Sequence, residues 1–269
     1  MNKIVGFIGG GNMARAIIGG ILNAELISKE NIIASARSQE TVDYLEETYS
    51  IQATTNNSAV AKVADILFLA VKPNMFSSVI PEIKDCKKEG QVIVSIAAGQ
   101  TIGAIEEAYG TEIKLVRAMP NTPALVGEAM SALCLNKNVS SEEADEVLSI
   151  FESFGKAEIV PESMMDAVIG VSGSSPAYVY MFIEAMADAA VADGMPRSQA
   201  YKFAAQSVLG SAKMVLETGK HPGELKDAVC SPGGTTIEAV AKLEETGFRQ
   251  SVISSQRACV EKSKEMSKK

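Results

Sequence analysis

The sequence predicts an α/β N-terminal region followed by an all-helical C-terminal region, and three observations carry that expectation. A short apolar run at residues 4–8 leads into Gly9-Gly10-Gly11-Asn12-Met13-Ala14 and then into the periodic apolar positions Ala16, Ile17, Ile18, Ile21 and Leu22. Strand and helix patterns alternate from there to Pro161, as in a parallel sheet covered on both faces. Beyond Pro161 the strand patterns stop and long helical segments take over.

The opening strand, glycine turn and helix have the order of a dinucleotide-binding, Rossmann-like fold. Gly9 allows the tight turn, Gly11 lets the backbone approach a pyrophosphate, and Ala14 lets the helix pack closely on the strand. Asn12 and Met13 complete the same turn. Further core strands are expected at residues 32–36, 66–71, 91–96 and 114–118, after the first at 3–8. Residues 130–135 are expected as an edge strand and 157–160 as a last short one. Amphipathic helices fit residues 40–48 and 57–63, and Ser140 with Glu143 forms a capping box for a helix running to Phe154 and closed by Gly155.

In the second half, helices are expected at residues 163–171, 175–193, 197–218, 225–229, 235–245 and 248–267. The 175–193 segment is apolar on nearly every face, with Tyr178, Tyr180, Met181, Phe182, Ile183, Met186 and Val191. Such a helix has to be enclosed by others, and roughly a hundred residues cannot obviously surround it. A partner subunit supplies the cover. The expected division is therefore residues 1–161 for the nucleotide-binding domain and 162–269 for a helical dimerisation and substrate-binding domain.

Composition narrows the function classes. The 269 residues carry a net charge of −8 with no offsetting Lys/Arg cluster, which argues against nucleic acid and anionic membrane as partners. The lysines of the last eight residues are interrupted by Glu265 and read as a solvated helix end. Cys86, Cys134, Cys230 and Cys259 lie far apart without a C-x-x-C pair, fitting a reducing cytosol and no zinc knuckle. His221 is the only histidine, so a histidine-rich metal site or a His-dependent triad is not expected. The first residues enter a strand directly, without the pattern of a signal peptide, and the longest apolar run contains Glu184 and Asp188, which suits a buried helix. The expected location is the cytoplasm.

Candidate binding residues sit at the ends of the expected strands, where ligands of such folds lie. After the second strand comes Ser35-Ala36-Arg37-Ser38, with no carboxylate until Glu40. An acidic residue there would accept from a ribose 2′-hydroxyl, whereas Arg37 with Ser35 and Ser38 suits a 2′-phosphate, so NADP is expected over NAD. Ala70-Val71-Lys72-Pro73 follows the third core strand, Ser95-Ile96-Ala97-Ala98-Gly99 the fourth, and a loop around Pro120 and Pro123 the fifth. These narrow loops suit a flat nicotinamide. Far along the chain, Ser231-Pro232-Gly233-Gly234-Thr235-Thr236 feeds a helix whose first amides are unpaired, a ready pocket for a carboxylate or phosphate.

Taken together, these stretches resemble a pyrroline-5-carboxylate reductase from end to end. The resemblance rests on the Gly9–Ala14 fingerprint, FLAVKP at 68–73, SIAAG at 95–99, VRAMPNTP at 116–123, GVSGSSPAY at 170–178 and LKDAVCSPGGTTIEA at 225–239. It implies reduction of the cyclic imine (S)-1-pyrroline-5-carboxylate to L-proline by NADPH, with NADH a weaker substitute. It also implies a helical domain interlocking between two subunits, with five dimers assembling into a decamer. Asn57, Val71, Lys72 and Ala97 match the family's cofactor contacts. Ser231, Gly234 and Thr235 match its carboxylate pocket, and Thr236 its hydroxyl beside the imine nitrogen. Where some relatives place a Glu before the His-Pro pair, this chain has Gly219.

The chemistry agrees with that resemblance. An imine needs a hydride at carbon and a proton at nitrogen, and a nitrogen that binds already protonated needs no strong acid. A placed hydroxyl and an anion hole then suffice, with most of the gain coming from alignment. A hydroxyacid dehydrogenase of similar build would carry a lysine on the long helix after the nucleotide domain, and residues 170–193 contain none. A non-catalytic NADP sensor would lack a substrate pocket such as the 231–236 turn.

Overall fold

In the computed structural model, which describes residues 1–267, a single eight-stranded sheet carries the first part of the chain. Its strands are β1 (Val5–Ile8), β2 (Ile32–Ser35), β3 (Gln52–Thr54), β4 (Ile66–Leu69), β5 (Val92–Ser95), β6 (Lys114–Met119), β7 (Ala129–Leu135) and β8 (Gly155–Ile159), in the spatial order β3-β2-β1-β4-β5-β6-β7-β8. All neighbours run parallel except β6 and β7. β1, β4 and β5 are buried along their whole length, which is why they read as continuous apolar runs without alternation.

The helices of this part are α1 (Asn12–Asn23), α2 (Gln39–Tyr49), α3 (Asn57–Val63), α4 (Phe76–Ile83), α5 (Ile102–Tyr109) and α6 (Ser141–Glu152). Two apolar clusters form, one led by Phe7, Phe68, Phe151 and Phe154 and the other by Ile8, Leu67, Ile93 and Tyr109. Phe7 and Phe68 stack at 4.8 Å across β1 and β4. Chain order moves outward from β1 first to β2 and β3, then to β4 on its other side. That reversal creates the crevice at the carboxyl ends of β1 and β4 where open α/β sheets take ligands.

Four sequence expectations change. The segment expected as an edge strand, β7, is interior, because β8 pairs with it in parallel. β3 is a further strand, too short and too exposed to carry an alternation signal. Gly155 does not close α6, which ends at Glu152 with Ser153 as C-cap; it begins β8, where a Cβ would sit 2.2 Å from the Ala129 carbonyl oxygen. The segment expected as one helix at 163–171 is a composite of a 3-10 turn at Glu162–Met164, α7 (Met165–Val168) and a π turn at Ile169–Gly173. The Ser140 capping box of α6 forms as expected, with Ser140 and Glu143 each bonding the other's amide.

Contacts divide the chain into two compact units. The first is Met1–Ser174 together with the end of the last helix from Cys259, held by Ser263 Oγ donating to Asp166 Oδ1 at 2.6 Å. The second, Ser175–Ala258, is all helix: α8 (Ser175–Ala192), α9 (Arg197–Thr218), α10 (Pro222–Ala228), α11 (Thr235–Glu245) and the start of α12 (Phe248–Met266). His221 caps α10, its Nδ1 accepting from the Gly223 amide at 3.0 Å. No helix among the described residues is long and apolar enough to cross a membrane. The last two residues, expected as part of a solvated helix end, lie outside the described residues.

Candidate active site

Gly9 follows β1 directly, with φ +107° and its amide donating to the Ser35 carbonyl at 2.9 Å. A Cβ there would lie 2.6 Å from the Ala70 carbonyl oxygen, so glycine is required both by conformation and by the close approach of the chain after β4. Gly10 is closed off differently: a Cβ would stand 2.8 Å from Leu45 Cδ1 on α2. Gly11 is the opposite case. It is the N-cap of α1, has no side chain to cap the helix, and an added Cβ would meet nothing within 4 Å. Open space above uncapped helix amides is the geometry of an anion site. Asn12 is exposed and Met13 half-buried at its rim, whereas Ala14 packs into the core. Arg15 braces the turn, Nε donating to the Gly10 carbonyl at 2.8 Å while its guanidinium lies 4.0 Å from the Tyr44 ring centre.

At the end of β2 the three residues expected to share a phosphate separate. Ser35 is fully buried, and its hydroxyl donates to Asn57 Oδ1 at 2.6 Å. Its hydroxyl is thus turned toward Asn57. Arg37 is exposed and makes no hydrogen bond or ion pair among the described residues. Ser38 caps α2, accepting from the Thr41 amide. Arg37 therefore precedes a helix start with a free cation. Asn57 begins α3 and spends its Nδ2 on Glu82 Oε2 at 2.8 Å.

β4 stops at Leu69, which frees Ala70, Val71 and Lys72 before Pro73 starts a 3-10 turn. Lys72 is exposed, Ala70, Val71 and Pro73 are half-buried. Ala97 is buried, with its amide donating to Ser95 Oγ at 3.4 Å. Arg117 belongs to β6 itself, buried and paired with Glu162 at 2.8 Å; the same carboxylate oxygen accepts from the Ile102 amide. Burial and then the Glu162 charge push the nearby Cys134 thiol up, against Arg117, which marks it as an inert core thiol. Asn121 is buried and uses both ends of its amide: Oδ1 accepts from the Met130 amide and Nδ2 donates to the Ser172 carbonyl, each at 3.0 Å. The loop after β6 is thereby tied to the π turn, where carbonyls lose their usual i+4 partners.

In the helical unit, Ser231, Pro232 and Gly233 are exposed, and Gly233 has φ +67°. The Gly234 amide closes the turn on the Ser231 carbonyl at 3.0 Å. Gly234 then serves as N-cap of α11 without any side-chain cap. Thr235 is exposed and Thr236 half-buried. Their hydroxyls make no hydrogen bond among the described residues. Two hydroxyls and the amides of one helix turn are thus without side-chain partners at the head of α11. Gly219 is the left-handed C-cap of α9, φ +64°, with its amide on the Val215 carbonyl. A glycine suits that backbone, and the position offers no carboxylate. Among the described residues no group of three or more His, Cys, Asp or Glu could hold a metal ion.

Comparison with known proteins sharpens this picture. A family model described as pyrroline-5-carboxylate reductase dimerisation matches residues 162–266, and one described as NADP oxidoreductase, coenzyme F420-dependent, matches residues 4–99. The pyrroline-5-carboxylate reductase of Escherichia coli K12 is 53% identical over 268 residues, covering 100% of both chains. The chain belongs to the pyrroline-5-carboxylate reductase family. The enzyme of that name from Methanosarcina acetivorans is 45% identical, over 100% of this chain and 99% of its own. Among solved structures, the pyrroline-5-carboxylate reductase of Coxiella burnetii superimposes with a TM-score of 0.94 at 35% identity over the whole of both chains. The Plasmodium falciparum pyrroline carboxylate reductase, solved with NADP bound, gives 0.89 at 38% identity over 99% and 98%.

Within this reductase fold, the residues that sequence reading passed over are Arg15, Glu82 and Asn121. Arg15 and Glu82 lie on helix surfaces whose charge carries no local signal. Asn121 stood inside a noted loop, but its two partners come from residues 9 and 51 positions away.

Proposed function

We propose that this chain catalyses the NADPH-dependent reduction of (S)-1-pyrroline-5-carboxylate to L-proline, the last step of proline biosynthesis. The full-length identity to enzymes of that name carries this reading. The first unit fits the cofactor: the space above Gly11 and the uncapped start of α1 suit a pyrophosphate. Arg37, beside the start of α2, pairs with the 2′-phosphate, and NADH, lacking it, is the weaker substitute. Asn12, Met13, Asn57, Ala70, Val71, Lys72, Pro73 and Ala97 supply further contacts from the helix starts and loops beyond the strand ends.

NADPH, when bound, supplies the hydride that the imine carbon accepts. The turn at Ser231, Gly233, Gly234 and Thr235 holds the substrate carboxylate through backbone amides and hydroxyls. Thr236 hydrogen-bonds at the imine nitrogen and orients it; a threonine hydroxyl is too weak an acid to titrate near neutrality, so alignment is its contribution. Residues 1–161 serve as the nucleotide-binding domain and residues 162–269 as the dimerisation and substrate-binding domain. The assembly is a homodimer, with five dimers forming a decamer, and the enzyme works in the cytoplasm. The deciding assay follows NADPH oxidation in the presence of pyrroline-5-carboxylate. Absorbance at the nicotinamide band falls and proline accumulates in equal amount. Cofactor binding without turnover would leave a nucleotide-binding protein of another purpose.

A further inference from the structure

Three elements meet around one side-chain amide at the edge of the nucleotide crevice. Ser35 ends β2, Asn57 begins α3, and Glu82 lies in α4. The Ser35 hydroxyl, wholly buried, donates to Asn57 Oδ1 at 2.6 Å, its alternative being the Phe7 carbonyl at 3.4 Å. On the other side Asn57 Nδ2 donates to Glu82 Oε2 at 2.8 Å. A carboxylate accepts only, so it has to face the NH2 group, and the hydroxyl then finds the carbonyl. Turning the amide over would set a carbonyl against a carboxylate and forfeit the bond to Glu82, with the NH2 group left to the Ser35 hydroxyl. The backbone of Glu82 is tied to α3, its carbonyl accepting from Ser58 Oγ at 2.9 Å one residue along from Asn57, and its side chain is exposed.

We propose that Ser35 and Glu82 are positioning residues that lock the Asn57 amide with its carbonyl toward the buried Ser35 and its NH2 donor toward Glu82, ready for an oxygen atom of the cofactor before the cofactor arrives. This rests on the reading of Asn57 as a cofactor contact. It gives the buried Ser35 a part in NADPH binding without touching NADPH. Orienting the donor in advance removes an ordering cost from binding, so the effect belongs in affinity.

The test measures the NADPH dissociation constant by titration calorimetry, and the melting temperature without ligand, on the intact protein. The variants are Asn57→Ala, Ser35→Ala, Glu82→Ala, Glu82→Gln and the double change of Ser35→Ala with Asn57→Ala. Ser35→Ala and Glu82→Ala each weaken NADPH about tenfold, the scale of one orphaned hydrogen bond. Glu82→Gln, which keeps an acceptor, retains most of the affinity. Ser35→Ala adds no further loss once Asn57 is alanine, because Ser35 acts only through it. Unchanged affinity in Asn57→Ala would remove Asn57 as a contact. A loss in Asn57→Ala with none in Ser35→Ala or Glu82→Ala would overturn the positioning role alone. So would losses that add independently, or a Ser35→Ala that lowers melting and leaves affinity intact. Should Ser35→Ala not fold, the two Glu82 variants decide by themselves.

Discussion

Arg37 is a cation without a partner among the described residues, standing two positions ahead of the first residue of α2. By contrast, Lys88 pairs with Asp65, Lys114 with Glu143 and Arg117 with Glu162. Replacing Arg37 by alanine therefore removes no internal contact, and its effect reads directly on the ligand. Arg37→Ala is expected to weaken NADPH roughly ten- to a hundredfold, the scale of one charge-assisted bond, with little change for NADH. Equal losses with both cofactors, measured side by side, would assign Arg37 to structure. In the helical unit, Thr236 has a free hydroxyl at the head of an uncapped helix. Thr236→Ala is expected to lower turnover about a hundredfold while NADPH affinity stays near wild type, and Thr236→Ser keeps much of the activity. An alanine variant with full turnover would leave the backbone amides of this turn as the operative part.

Between β1 and α1 the chain turns through Gly9, Gly10 and Gly11, and these three glycines separate by what surrounds them. Gly9→Ala would force a side chain into a left-handed backbone and onto the Ala70 carbonyl, so the loss falls on folding, about 1–3 kcal/mol. Gly11→Ala meets nothing in the protein, so it should melt near wild type and lose NADPH affinity, because its methyl enters the space left for the pyrophosphate. Melting curves with and without NADPH distinguish the two, and a Gly11→Ala protein of normal affinity would move the pyrophosphate elsewhere. This element was legible in the sequence because glycine spacing and apolar period are local. The turn at 231–236 was legible for the same reason. The burial of Ser35 was not legible, since a strand of four residues with three of them buried has no alternation to show which way a serine points. The interior place of β7 and the composite at 162–173 were not legible, because the pairing of β7 with β8 and the Asn121 bond to Ser172 are made by distant residues.

For the whole molecule the decisive quantity is the apolar surface of the helical unit. The sequence placed α8 inside a shell of helices; in the single chain only Ala187 of its eighteen residues is buried. Met181 is 69% exposed, Phe203 on α9 is 68% and Leu216 is 82%, and Val252 and Ile253 on α12 add to them. Covering one large apolar side chain contributes about 1.5–3 kcal/mol, so a handful left in water outweighs the ~5–15 kcal/mol by which a domain is stable. Residues 162–266 match the dimerisation model of the family, and self-association supplies the missing cover. Stability should then depend on protein concentration, with melting temperature rising as concentration rises, because the folded helical unit and the dimer form together. Sedimentation across a dilution series, with activity read on the same samples, tests the point: the dimer persists to low concentration, and where it dissociates, helicity and turnover fall together. A monomer that stays folded and fully active at high dilution would show that α8, α9 and α12 tolerate water, and that the cover lies elsewhere.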